Sequence, residues 1–258
     1  MKRTIKKIIK LYLTMGMLSA TKKLFLYPIN RAKWHKNRFQ IFKLADSESR
    51  FTRIYETNHW NSEESVSGTG STLSYTKNLR ENLPELIKTF SIKSIFDAPC
   101  GDFKWMNEFL KMHPLKYVGG DIVKPLIDNL NTTKQQATAL QKPTFLHFDI
   151  TKNEFPKVDL WLCRDCLFHL SYHDTWLALD KFIQSEIPYF LTTTHCNSSN
   201  FLNSDIKSGE FRFMDLFLSP YNFPEPLYRV EDWQSPDTPR EMCLWSREQI
   251  LIAMNKNN

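Results

Sequence analysis

The stretch "SIFDAPCGDFKW", residues 94–105, decides how the rest of the chain is read. It opens as a short apolar strand. It closes in a turn that packs a proline, a cysteine, one glycine and two aspartates between Asp97 and Phe103. In an open α/β sheet, ligands sit beyond the carboxyl ends of the strands, and the turn after the first strand is the usual place for one. Asp97 ends this strand, and Gly101 allows backbone to approach a ligand closely.

Outward from this turn, four more apolar runs rich in β-formers follow: 116–121, 144–149, 158–163 and 188–194. Helical stretches are expected between them, near 103–112, 124–140 and 173–185. Alternation of this kind predicts βαβ units and a doubly wound, mostly parallel sheet with helices on both faces. Strands buried on both sides read as continuous runs rather than strict alternation, as these do. Near the end, "FRFMDLFLSPYNFPEPLYRV" and "EMCLW" predict two further strands around a proline-rich loop. Ser246 and Gln249 stand in capping-box spacing at the head of a last helix.

Upstream, residues 74–89 read as a helix with Leu79, Leu83, Leu86 and Ile87 on one face, and Pro84 as a break or kink. Residues 46–72, with "SVSGTGST" at 65–72, read as irregular. No strand precedes that glycine-containing run, so it is not a dinucleotide loop. Three segments result: a basic arm over 1–45, a lead-in over 46–90 and an α/β domain over 91–258.

Composition fits one α/β domain with an appendage: 258 residues, 41% apolar and 14% aromatic. That excludes disordered and collagen-like chains. The formal charge of +6 is uneven, since residues 1–45 hold 12 of the 34 Lys and Arg and no acid. The remaining 22 basic and 28 acidic residues leave the rest of the chain at −6. The positive charge therefore belongs to the arm and is poor evidence for a nucleic-acid face on the body. Within the arm, Ile5, Ile8, Ile9, Tyr12 and Leu13 repeat at helical spacing, with Arg3, Lys6, Lys7 and Lys10 largely off that stripe. Three readings stand: an amphipathic helix on an anionic membrane surface, through residues 1–23, an arm packed on its own domain, and a cleaved signal or anchor. The apolar run is too short for a bilayer span of ~20 residues. Five cysteines, an odd number outside any small scaffold, read as free thiols in a reducing, cytoplasmic setting.

Strand ends carry the chemistry. Asp97, Asp121, Asp149 and Asp165 close four successive strands or their turns, and Gly119 and Gly120 precede Asp121. One acid alone would read as a helix cap. Four together point to a ligand cleft. "CRDCLFHLSYHD" adds Arg164, His169 and His173. Cys163, Cys166, His169 and His173 also make a zinc-like string, but the first cysteine lies within an apolar strand and no second pair follows, so no metal is expected.

With these motifs in place, the chain from about 55 to 250 resembles the class I S-adenosylmethionine-dependent methyltransferases. It is most similar to a bacterial-type subgroup sharing "SVSGTGST", "DAPCGDFKWM", "CRDCLFHLS" and "TTT…GEFRFMDL…PEP". The family's cofactor loop carries three glycines. Here Pro99 and Phe103 replace the first and last, and Gly101 remains. The resemblance implies a Rossmann-like fold and S-adenosyl-L-methionine as cofactor. It implies Asp97, Pro99 and Gly101 at the methionine end, and Asp121 with Ile122 at the ribose. Asp149 and Ile150 would meet the adenine, and Arg164 and Asp165 would lie beside the methyl group. It also implies a lid at 65–72 and, through relatives in surface-polysaccharide synthesis, O-methylation of a sugar or other small acceptor. His169 or Asp165 is expected as the base, with Arg164 orienting the acceptor. A packed core position is the competing reading of His169. Arg212 and Asp215, with Phe211, Phe213, Tyr221 and Phe223, are expected either around the acceptor or in the core. Two other functions stay open: a nucleic-acid or protein methyltransferase using the arm, and a scaffold that kept the fold without the cofactor.

Overall fold

A computed structural model describes residues 17–133, 142–197 and 200–255. It divides into two compact units, 1–44 and 45–258. The first contains helix α1 (Met17–Lys43), with Pro28 inside it. The expected apolar stripe from Ile5 to Leu13 lies outside the described residues.

The second unit is built on seven strands: β1 (Ser94–Asp97), β2 (Lys116–Asp121), β3 (Thr144–His147), β4 (Leu160–Cys163), β5 (Tyr189–His195), β6 (Tyr228–Glu231) and β7 (Arg240–Ser246). Their order is β3-β2-β1-β4-β5-β7-β6. The first five run parallel. Only β7 is antiparallel, wedged between β5 and β6. The helices are α2 (Ser47–Glu56), α3 (Lys77–Thr89), α4 (Lys104–Met112), α5 (Lys124–Thr133), α6 (Tyr172–Gln184) and α7 (Arg247–Asn255). This is the Rossmann-like fold of class I methyltransferases.

Neighbouring residues on the central strands feed opposite layers, as the pleat requires. Phe96, Trp161, Phe190 and Trp245 enter one core with Phe182 of α6 and Ile250 of α7. Ile95, Leu160, Leu162, Leu191 and Leu244 enter the other with Leu83 of α3, Met106 of α4 and Ile127 of α5. Because both faces are covered, β1 and β4 are buried along their whole length.

Some expectations change. Helix α2 replaces an expected irregular stretch. Its polar sequence hides the signal, which lies in Asp46 as the N-cap, accepting from the Ser49 N–H at 2.7 Å, and in buried Arg50 and Ile54 four residues apart. Pro84 does not end α3, which runs on to Thr89 around it. Of the run 211–230 only its end forms a strand, β6. Pro220, Pro224 and Pro226 each lack the N–H a ladder needs. The Ser246–Gln249 box forms as expected, with bonds of 2.9 and 3.1 Å.

Candidate active site

The order of strands reverses between β1 and β4, so the loops leaving them diverge and open a cleft between them. The walls of the cleft include Asp97, Gly101, Asp121, Asp149, Arg164 and His169. Pro99, Ile122, Ile150 and Asp165 line it as well.

The turn after β1 is held from three sides. The Ala98 N–H donates to the Leu162 carbonyl at 2.9 Å, and the Trp161 indole donates to the Ala98 carbonyl at 3.0 Å. The Cys100 N–H donates to Gly120 at 2.8 Å, and the Gly101 N–H to Asp121 Oδ2 at 3.1 Å. Gly101 has a φ of +53°, and a Cβ there would collide with the Ser67 hydroxyl. Phe103 also takes the left-handed region, at +61°. It stands where the family pattern has glycine, and its ring is fixed between Tyr117 and Phe145, each 5.0 Å away.

The acids differ in state. Burial raises the Asp97 carboxyl to about 7, although the Tyr117 hydroxyl donates to it at 2.8 Å. Burial raises Asp121 to about 6 against the N–H groups of Val123 and Gly101. Asp149 is lowered: burial acts upward, but Lys152 and Thr151 outweigh it. One of its oxygens takes both the N–H and the hydroxyl of Thr151, and the other pairs with Lys152 at 2.8 Å. Asp149 thus also ties its own turn, as a cap would.

Beyond β4, Arg164 spends its fork internally. Nε and Nη2 donate to Asp232 at 2.8 and 3.0 Å, and Nη2 donates to the Gly70 carbonyl at 2.9 Å. Asp165, at φ +51°, accepts from Arg240 at 2.9 Å and from the Thr193 hydroxyl at 3.2 Å. Burial would raise its carboxyl, but Arg164 and Arg240 hold it below its ordinary value.

His169 Nδ1 lies 2.7 Å from the Glu210 carbonyl. A carbonyl only accepts, so Nδ1 carries the proton and Nε2 keeps its lone pair. Burial lowers the pKa of this imidazole, leaving it neutral at pH 7. Trp60 lies against its ring at 5.5 Å.

Residues 65–72 form one wall. The Val66 N–H donates to Asp102 at 3.2 Å, and the Asp102 N–H donates to the Ser67 hydroxyl at 3.0 Å. Helix α2 adds Phe51 and Tyr55 to the cleft. Arg212, in contrast, is buried away from the cleft walls, donating to Tyr221 at 2.9 Å and stacking over Tyr172. Asp215 caps Phe217 at 3.0 Å, and Tyr221 and Phe223 are core. Phe211 and Phe213 remain outside the core, exposed.

Sequence reasoning missed Trp60, Asp102 as a lid anchor, Asp232 and Arg240. Among the described residues, no three His, Cys, Asp or Glu side chains converge as a metal site would require.

No family model and no curated protein matches the chain. Solved structures do, in fold. Magnesium protoporphyrin IX methyltransferase from Synechocystis PCC 6803, with bound SAM, superposes with a TM-score of 0.53 at 11% identity, over 78% of this chain and 97% of that one. A 1,6-didemethyltoxoflavin-N1-methyltransferase from Burkholderia thailandensis gives 0.54 at 14% identity, over 79% and 91%. PigF with SAH gives 0.54 at 12% identity, over 90% and 73%. The chain therefore shares the class I methyltransferase architecture at identities that speak for fold alone.

Proposed function

We propose that the protein is a class I S-adenosylmethionine-dependent methyltransferase that O-methylates a sugar or another small or glycan-linked acceptor, a role in polysaccharide synthesis. One observation carries the reading. A buried carboxylate, Asp121, stands at the end of β2 and holds the glycine of the β1 turn, at the switch point of a sheet with this strand order. The residues fit the cofactor. Gly101 leaves a cradle that a Cβ would fill. The Asp121 oxygens accept from the backbone N–H groups of Gly101 and Val123, one on each oxygen, and a carboxylate oxygen with further lone pairs can also take a ribose hydroxyl. The turn offers no run of glycines for a pyrophosphate, and S-adenosylmethionine has none.

When bound, S-adenosylmethionine supplies a methyl group on a sulfonium sulfur that leaves as a neutral thioether. Asp97 and Gly101 would hold its amino-acid end, Asp121 and Ile122 its ribose, and Asp149 and Ile150 its adenine. His169 Nε2, with its lone pair free, would accept the proton of the acceptor hydroxyl. Arg164 and Asp165 line the methyl end, with Arg164 acting through the Gly70 carbonyl to hold the 65–72 wall. The basic arm suits an anionic membrane surface, and a lipid-linked glycan would bring the acceptor there. No described helix is long and apolar enough to cross a membrane.

Calorimetric titration of S-adenosylmethionine and S-adenosylhomocysteine into the full chain, beside Asp121→Ala, tests the reading. Binding near micromolar, about −8 kcal/mol, that the variant loses supports it. No binding at millimolar ligand moves the scaffold reading ahead.

A further inference from the structure

Two phenylalanines two residues apart, on the segment that follows β5, keep much of their rings in solvent. Phe211 is 52% exposed and Phe213 is 41% exposed. They meet edge to face at 5.3 Å. Phe211 also lies 5.9 Å from His169, which in turn meets Trp60 of the cleft wall and buried Phe168. Phe213 stands on His195 at 5.3 Å. A run of aromatic rings, tilted or edge-on to one another, thus leads from the imidazole in the cleft out to solvent, two ring steps long.

The backbone holds this shelf in place. The Gly209 N–H donates to the His169 carbonyl at 2.7 Å, and the Arg212 N–H to the Phe168 carbonyl at 3.1 Å. The segment carrying both phenylalanines is therefore clamped to the segment carrying His169, and the Glu210 carbonyl between them fixes the imidazole's tautomer. The two arginines at this end of the cleft are matched within the protein, Arg164 with Asp232 and Arg240 with Asp165, so neither is spent on a charged acceptor.

We propose that Phe211 and Phe213 form an acceptor subsite for a neutral carbohydrate chain, which places the sugar to be methylated at His169 and its neighbour on the shelf. This rests on the methyltransferase reading above. The form of the shelf selects the ligand class. A wholly apolar ring is normally enclosed over most of its surface by its pocket. An exposed phenylalanine face suits a ring with one apolar C–H face and a hydroxyl edge that stays in water. The length of the shelf suits an oligosaccharide rather than a single sugar.

The test is a glycan array probed with the labelled full chain, with and without S-adenosylhomocysteine, for the native protein and for Phe211→Ala and Phe213→Ala. Calorimetry with S-adenosylhomocysteine reports whether each variant keeps the fold and the cofactor site. The expected result is binding to neutral oligosaccharides, weakened at least tenfold in each variant, with S-adenosylhomocysteine affinity unchanged. Array binding that both variants retain, or no oligosaccharide bound by a native protein that binds S-adenosylhomocysteine, overturns the subsite. So does concentration-dependent self-association that the variants abolish, which would assign the shelf to a second copy of the chain. Failure of the native protein to bind S-adenosylhomocysteine sinks the methyltransferase reading instead, while array binding lost in the variants would still support a carbohydrate site on the shelf.

Discussion

Arg164 and Asp232 form a two-pronged ion pair, Nε to Oδ2 at 2.8 Å and Nη2 to Oδ1 at 3.0 Å, with both side chains buried. The same Nη2 reaches the Gly70 carbonyl, so this pair ties the wall at 65–72 to the end of β4. A Cβ on Gly70 would stand 3.0 Å from Asp165 and 3.1 Å from Arg240, which shows how closely the wall rides on the charges. Removing one member of a buried pair leaves the other uncompensated, at a cost of about 3–5 kcal/mol. Asp232→Ala is therefore expected to lower the urea midpoint strongly and to open residues 65–72 to limited proteolysis. Asp232→Asn keeps an acceptor for the fork and is expected to fall between. Equal proteolysis of the wall in all three proteins would rule out the latch.

Gly101 faces two constraints at once. Its φ of +53° costs about 1–2 kcal/mol for any residue with a Cβ, and that Cβ would meet Ser67. Gly101→Ala is expected to displace Ser67 from the Asp102 N–H and to weaken S-adenosylhomocysteine at least tenfold. Ser67→Ala clears the oxygen and loses only the 3.0 Å bond, so it should cost less. The double variant should recover part of the loss. A double variant no better than Gly101→Ala would place the whole penalty in the backbone.

The strands and their terminal acids were legible because burial on both faces leaves unbroken apolar runs, and an acid at the end of such a run stands out. Asp97 and Asp121 are of that kind. Asp232 is not: "RVEDWQ" reads as an ordinary polar edge, and only the fold brings it to Arg164, 68 residues away. Trp60 sits alone in "NHWNSEE", with no periodicity to assign it a face, yet it packs on His169. Arg164 looked free to orient an acceptor because a sequence does not show where a guanidinium fork is spent. Phe103 illustrates the reverse case. Its left-handed backbone could not be expected from a bulky residue, and packing against Tyr117 and Phe145 holds it there.

If Asp97 and Asp121 hold the cofactor as proposed, stability and cofactor binding are expected to respond oppositely to pH. Folding raises their carboxyls from 3.8 to about 7 and about 6, chiefly by burial. Over that window the folded state binds more protons than the unfolded one, so stability falls as pH rises. Their contribution is complete below pH 3.8 and is lost by about pH 7. Asp97→Asn keeps an acceptor for Tyr117 and removes the charge. It is expected to raise the Tm of the ligand-free protein at pH 8 by ~4 °C or more and to flatten its pH dependence. S-adenosylhomocysteine affinity should run the other way. An ionised Asp121 accepts ribose hydroxyls, so affinity should fall about tenfold per unit below its pKa of about 6. In Asp121→Asn that slope should lessen, and what is left belongs to Asp97, whose carboxyl is raised to about 7. A native affinity that stays constant from pH 5 to 8 would remove Asp121 from the ribose.

The choice of base turns on two residues that share one end of the cleft but differ in state. Asp165 is held ionised by Arg164 and Arg240, so it is a weak proton acceptor at neutral pH. His169 is neutral, donates Nδ1–H to Glu210 and keeps Nε2 unprotonated. A base of that kind contributes about 10²–10⁴ in rate. His169→Ala is therefore expected to lower kcat by that factor while S-adenosylhomocysteine binds within about twofold of native, because the imidazole does not hold the cofactor. Burial keeps the folded His169 pKa below 6.5, so native kcat should be level above that pH and fall only beneath it. Asp165→Asn keeps an acceptor for Arg240 and should retain more activity than His169→Ala, with its acid limb moved to lower pH because the Asp165 charge no longer favours the imidazolium. If His169→Ala keeps the native limb and Asp165→Asn abolishes turnover, Asp165 is the base and the imidazole only supports the shelf.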